Sequence, residues 1–285
     1  MIWIGPAGNS DRFYEQGHKR TLEAPAWLSE MGLTAMEYSC GHGVSISEGT
    51  ARAIGNEARD QGIRMSIHAP YYINCATQDA QKREKTIGYL VSSARAIDWM
   101  GGDRVVFHIG SPGKQKRDQA ISSCHATIVE ARRQMVDQGL SHIHLCPETM
   151  GRISQIGTLD EVLSVCGLDD SFIPALDFGH LHTIDLGALN STDDFRRILD
   201  QMIDALGMDR VRHFHAHFSR IEFTPKGEKM HRRFCDTQYG PDFAHLAPLI
   251  VEYGLQPIII CESKGTQADD ARMIRQLLIE SGASI

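Results

Sequence analysis

Eight short, apolar, β-rich runs recur along the chain, separated by longer stretches rich in Ala, Arg, Glu and Gln whose apolar residues follow helical spacing. The runs are Met1 to Gly5, Leu33 to Ser39, Arg64 to Ala69, Arg104 to Ile109, His142 to Glu148, Phe172 to Phe178, Val211 to Phe218 and Pro257 to Ser263. Helical stretches include Glu48 to Gln61, Ala80 to Met100, Asp118 to Gln138, Thr192 to Leu206 and Ala268 to Glu280. Gly62, Gly139, Gly207 and Gly254 fall where such helices should stop. Strand alternating with helix predicts parallel strands joined by crossovers, and eight is the count that closes a barrel. The expected fold is therefore α/β, a single (β/α)8 barrel forming one domain over residues 1–285. A doubly wound open sheet would call for a Gly-rich phosphate loop after the first strand, and the required spacing is absent.

Parallel strands gathered into a barrel bring all their C-terminal ends to one face. Six of the runs end in a potential metal ligand: His68, His108, Glu148, Asp177, His215 and Glu262. Packing alone is a poor explanation, because unpaired buried carboxylates and imidazoles each cost several kcal/mol. The mixed N/O set suits Zn2+ or Mn2+ and lacks the thiolates of structural zinc. A carboxylate such as Glu148 can bridge two cations roughly 3.5–4 Å apart, a geometry suited to phosphoester hydrolysis. His180 follows Asp177 by three residues and joins the same face, with His182 as a rival. In His213-Phe214-His215-Ala216-His217, alternation puts the three rings on one side of a strand. His213 is expected deep, His215 at the rim and His217 beyond it, as ligand or supporting contact. Thr224 to Arg233 fits neither strand nor helix and is expected to be a functional loop.

The formal net charge of -7 argues against a dispersed basic nucleic-acid surface. A more local basic rim is available in Lys114, Lys116, Arg117, Arg220, Lys226, Lys229, Arg232, Arg233 and Lys264. No stretch of about 18 uninterrupted apolar residues occurs, and the N-terminus lacks a basic start before a long apolar run. A cytoplasmic monomer without membrane contact is expected. The seven cysteines lack paired zinc-finger spacing and are expected to be reduced and mostly buried.

Taken jointly, several segments resemble the endonuclease IV family, the zinc-dependent apurinic/apyrimidinic endonucleases (AP endonuclease family 2) within the xylose isomerase-like TIM barrels. They are Ser66-Ile67-His68-Ala69-Pro70-Tyr71-Tyr72-Ile73-Asn74, Phe107-His108-Ile109-Gly110-Ser111, Pro147-Glu148-Thr149, Leu176-Asp177-Phe178-Gly179-His180, Phe214-His215 and Ile260-Cys261-Glu262-Ser263. The resemblance implies a cluster of divalent metals, Zn2+ with Mn2+ as the alternative. His68, His108 and Glu148 would hold one ion, and Glu148, Asp177, His215 and Glu262 a second. A third ion in that family takes the histidine that is here His180 plus an Asp-x-His pair. This chain offers His231, but two residues before it stands Lys229, which cannot ligate. Either Glu228 fills the place or Lys229 puts its charge where the third cation would be, so two or three ions are expected. The implied activity is a metal-dependent phosphodiesterase hydrolysing DNA 5′ to abasic sites through a metal-activated water, oriented by the catalytic residues Glu148 and Glu262. Tyr71, His217 and Arg220 are the expected substrate contacts, and damaged DNA or another phosphoester the partner. The loop Cys40-Gly41-His42-Gly43-Val44-Ser45-Ile46 lacks the arginine such enzymes insert into the duplex. The alternative is a divalent-metal-dependent sugar or polyol isomerase or epimerase on the same barrel. Glu148 and Glu262 would then move protons, Asp177 and His215 would hold one ion, and His68 and His108 would bind substrate oxygens. A barrel that binds without catalysis is the third reading.

Overall fold

The computed structural model describes residues 1–184 and 186–285. Its strands are β1 (Trp3–Pro6), β2 (Ala35–Ser39), β3 (Arg64–His68), β4 (Arg104–His108), β5 (His144–Glu148), β6 (Ala175–Asp177), β7 (His215–Phe218), β8 (Arg220–Thr224), β9 (Gly227–Arg232) and β10 (Ile258–Cys261). All but β8 and β9 form one parallel sheet in the order β1-β10-β7-β6-β5-β4-β3-β2. Its two ends meet: Thr34 N–H donates to Ile4 O at 2.9 Å, Gly8 N–H donates to Glu37 O at 2.9 Å, and Ala7 bridges to Glu37. The approach is so close that a Cβ at Gly5 would lie 1.7 Å from Ala35 O, which is why a glycine stands there. The result is the expected (β/α)8 TIM barrel.

Helices Glu48–Asp60, Ala80–Trp99, Arg117–Asp137, Leu159–Cys166, Thr192–Leu206 and Gln267–Glu280 cover the sheet. Local chemistry starts them where the chain leaves its loops. Asp79 accepts from Gln81 and Lys82 N–H, and Thr158 and Ser191 form reciprocal caps with Glu161 and Asp194. Their apolar faces, including Ile54, Leu90, Ile128, Leu199 and Ile274, pack on outward-facing strand residues such as Val105, Phe107 and Ile259. The opposite parity of each strand lines the barrel interior, where small groups such as Val106, Cys146 and Ala175 leave room for a polar layer above them.

Three expectations are corrected. The sixth strand ends at Asp177, and Phe178 opens the helix Phe178–Ile184, so His180 lies on a first helical turn. The seventh strand begins only at His215, because Met208–Val211 is helical. Thr224 to Arg233 is mostly a strand arm: β8 and β9 form an antiparallel hairpin whose turn carries Pro225 and Lys226. A register shift between Glu222 and Phe223 breaks the alternation that would have advertised it. All seven cysteines are free thiols, six of them buried. Among the described residues, no helix is long and apolar enough to cross a membrane.

Candidate metal centre

Strand parity decides which side chains reach the barrel mouth. His68, His108, Glu148, Asp177 and His217 occupy inward positions at or beside the ends of their strands, and Glu262 follows β10 directly. His68 Nε2 lies 3.1 Å and His108 Nε2 3.2 Å from Glu148 Oε2. His217 Nδ1 lies 3.0 Å from Glu148 Oε1 and 3.5 Å from Glu262 Oε1. Glu148 thus stands between two donor groups, His68-His108-Glu148 and Glu148-Asp177-His217-Glu262. Within each group the donor atoms lie within 4.8 Å of one another.

His217 occupies the place expected for His215, which joins a separate donor group with Glu37 and His217. Asp177 pairs in register with His217, whereas His215 pairs with Ala175, one pleat repeat deeper. The strand runs on to Phe218, so the exit expected at His215 comes two residues early. His215 Nε2 instead lies 3.2 Å from Glu37 Oε2, while Glu37 Oε1 is 2.9 Å from His217 Nε2. Both contacts are ion-pair distances out of hydrogen-bond alignment. Glu37 accepts an aligned bond from Ser66 Oγ at 2.9 Å and is fully buried on the inner face of β2. Sequence reasoning missed it. The available signal was a lone acid at an inward position of Ala35-Met36-Glu37-Tyr38-Ser39.

The outer part of the site is built by the first turn after β6 and by the hairpin. Asp177 Oδ1 accepts from His180 N–H at 2.8 Å, and His180 Nδ1 is 2.8 Å from Thr149 O. A carbonyl can only accept, so Nδ1 carries the proton and Nε2 is left facing Glu228 Oε2 at 3.4 Å. His231 Nε2 lies 3.8 Å from Glu228 Oε1, and Asp177, His180 and His231 form a further donor group. Glu228 and His231 share a face despite being three residues apart, because the bulge leaves Lys229 unmatched in the ladder. Lys229 turns away and pairs with Glu222, as Arg232 does. Of the two readings of this loop, the geometry brings Glu228 into the cluster and takes Lys229 out. The hairpin docks through Glu228 N–H donating to Gly151 O at 2.9 Å. A Cβ at Gly151 would lie 2.9 Å from His180 Cδ2, so the glycine permits the approach. Glu228→Gln is expected to lower divalent-metal content by about one ion per chain while Lys229→Ala leaves it unchanged. Elemental analysis after dialysis reads the difference, and equal content in both variants would remove Glu228 from the site.

The electrostatics describe a cluster balanced by protons that cations can displace. Burial raises the Glu148 pKa, but His217, His108 and His68 outweigh it and hold the carboxyl well below its usual range. Burial works against a charged His68, yet contact with Glu148 lifts it to about 9. His180 rises to about 10, because Asp177, Glu228 and Glu148 overcome its burial. His215 moves the other way, to about 4, since burial exceeds the help from Glu37. Ligating imidazoles must be neutral, so metal uptake here releases protons. One atom tests the fit independently: Asp177 Oδ2 is buried without a hydrogen-bond partner, 3.5 Å from His180 Nδ1. A divalent cation held by this N/O set would supply the missing partner, and the residues fit such an ion. The cavity above measures about 470 Å3, and His68, His108, Glu148, His180, Glu228, His231 and Glu262 all line it.

The expected substrate contacts fare differently. Tyr71 lines the cavity, half exposed, with its hydroxyl 2.8 Å from His42 Nδ1 and its ring against Tyr72. His217 is fully buried among the ligating groups instead of facing a substrate. Arg220 spends its guanidinium internally, on Phe234 O at 3.0 Å, Tyr239 O at 2.6 Å and Asp242 at 2.7 Å, bracing the loop after β9. Part of the basic rim is neutralised in the same way: Arg117 pairs with Glu161 at 2.6 Å and Arg233 with Asp236 at 3.6 Å, whereas Lys114, Lys116, Lys226 and Lys264 are exposed. His182 Nδ1 accepts from Leu189 N–H at 3.1 Å, which removes it as a rival ligand to His180.

Residues 25–279 match the family described as xylose isomerase-like TIM barrel. An uncharacterized protein of Methanocaldococcus jannaschii is 26% identical over 248 residues, 87% of this chain and 88% of that one. A probable endonuclease 4 of Acholeplasma laidlawii is 27% identical over 171 residues, 58% of this chain and 56% of its own length. Among solved structures, endonuclease IV from Thermus thermophilus superposes with a TM-score of 0.70 at 19% identity, over 93% of this chain and 96% of that one. The 3-keto-D-glucoside 4-epimerase of E. coli gives 0.66 at 14% identity over 99% of each. Likeness at these identities speaks to the fold, and the fold is shared by hydrolases and epimerases alike. The extent of the family match, from before β2 to the last helix, settles the family: the chain belongs to the xylose isomerase-like TIM barrels.

Proposed function

We propose that the chain is a divalent-metal-dependent phosphodiesterase of the endonuclease IV type, cutting DNA 5′ to abasic sites and leaving a 3′-hydroxyl. One observation carries the reading: Asp177 belongs both to the inner group with Glu148, His217 and Glu262 and to the outer group with His180 and His231. Linked donor groups of this kind suit more than one cation, and polynuclear sites suit phosphoryl transfer. When bound, divalent ions would supply Lewis acidity to the phosphate oxygens and lower the pKa of a water. Glu148 holds the inner groups together, and Glu262, which lines the cavity, orients the nucleophile. Ser219 Oγ at 2.8 Å from His231 Nδ1 keeps that ring's other nitrogen toward Glu228. The relatives named as probable endonuclease 4 favour the same reading.

A sugar epimerase is the second reading, favoured by Glu148 and Glu262 lying 3.0 and 3.5 Å from the same His217 nitrogen within a group that could serve one ion. Cleavage of an abasic-site duplex with and without chelator separates the two when read beside metal content. Chelator-sensitive cleavage with two or three ions per chain is the expected result. A single ion, no cleavage and interconversion of a ketose would sink the hydrolase.

A further inference from the structure

Among the described residues lining the metal cavity, Arg152 is the one arginine or lysine. Several neighbouring cations are spent elsewhere, Arg220 on a loop, Lys229 and Arg232 on Glu222, and Arg117 on Glu161, while Lys226 and Lys264 lie outside the cavity lining. Arg152 is exposed, and among the described residues its guanidinium has no hydrogen-bond or ion-pair partner. Its base is nevertheless fixed. Gly151 O accepts from Glu228 N–H at 2.9 Å, and Arg152 O accepts from Gln155 N–H at 2.9 Å. At Gly227, whose φ is +113°, a Cβ would lie 3.1 Å from Arg152 Cγ, so the hairpin turn packs directly on the Arg152 stem. A planar fork is thus tethered at the rim of a cavity whose floor is carboxylates and imidazoles.

Cations bound on that floor would offset its negative charge, leaving a pocket that attracts anions. A guanidinium matches two oxygens of a phosphate in a way that an ammonium does not. A neutral sugar offers no equivalent partner. We propose that Arg152 determines specificity at this site by gripping a phosphate group of the substrate, so that the cavity takes phosphoesters and discriminates against uncharged sugars. The inference rests on the phosphodiesterase reading but can fail separately from it.

The test uses the full-length zinc-loaded protein and compares calorimetric binding of 2-deoxyribose 5-phosphate with that of 2-deoxyribose, alongside abasic-duplex kinetics. The wild type should prefer the phosphorylated sugar. Arg152→Ala should lose about 10- to 100-fold of affinity for it, with binding of the neutral sugar and zinc content unchanged. Arg152→Lys should recover part of that loss, and Arg152→Gln, which is polar but shorter and uncharged, should match Arg152→Ala. No preference in the wild type, or equal losses for both ligands, would overturn the proposal. If no duplex is cut but Arg152→Ala still loses the phosphate preference, the phosphodiesterase reading fails and this one stands. Cleavage with unchanged KM and unchanged preference in Arg152→Ala gives the reverse.

Discussion

Glu148→Gln is expected to abolish metal-dependent cleavage, by roughly a thousandfold or more. The two carboxylate oxygens serve different neighbours: Oε2 faces His68 and His108 at 3.1 and 3.2 Å, and Oε1 faces His217 at 3.0 Å. An amide of the same shape carries no charge and turns an NH2 toward one of these sets. Both inner groups therefore lose their shared anion at once. The metal-free protein reports the same change by another route. His68 titrates at about 9 because Glu148 overrides its burial, so in Glu148→Gln its NMR titration should move to distinctly lower pH. Metal-free Glu148→Gln should also lose stability, of the order of 3–5 kcal/mol, because one partner of a buried ionic cluster is gone. Cleavage at wild-type rate by the variant would end the account in which Glu148 joins two cations.

Much of this centre was legible because barrels impose a strict rule. Ligands at the ends of parallel strands converge on one face, and His68, His108, Glu148, Asp177 and Glu262 were found on that rule alone. The failures lie where the rule is silent. Glu37 sits in mid-strand, below any exit, and its importance depends on what faces it across the barrel. His217 was left open between ligand, supporting contact and substrate contact by a two-residue error in where β7 ends, and in a strand two residues amount to one full repeat. The hairpin escaped notice because a bulge at Lys229 hides its alternation, and the same bulge puts Glu228 where an Asp two residues before His231 was sought. The basic rim was read as available charge, but the partners that consume it, such as Asp242 for Arg220, become neighbours only through the fold.

Glu37→Gln is expected to weaken zinc binding by about 10- to 100-fold although Glu37 belongs to neither donor group that contains Glu148. Its Oε1 lies 2.9 Å from His217 Nε2, on the far side of the ring from Nδ1, which faces Glu148 and Glu262. Ser66 donates to Oε2 at 2.9 Å and fixes the carboxylate, which in turn orients the ring. Without that anion, His217 loses both an orienting contact and a charge that raises its basicity against burial. His215 shares the carboxylate at 3.2 Å and joins the donor group Glu37-His215-His217 but neither group that contains Glu148, so His215→Gln should cost much less affinity than His217→Gln. Competition against a chromophoric chelator measures all three variants, and unchanged zinc affinity in Glu37→Gln would show that Glu37 does not position the ligand. Thermal unfolding of the metal-free proteins separates a positioning role from a general loss of packing. The two glutamates should then part at high metal concentration. Saturating zinc restores cleavage in Glu37→Gln, where a ligand is misaligned, and fails to restore it in Glu148→Gln, where the ligand itself has been removed.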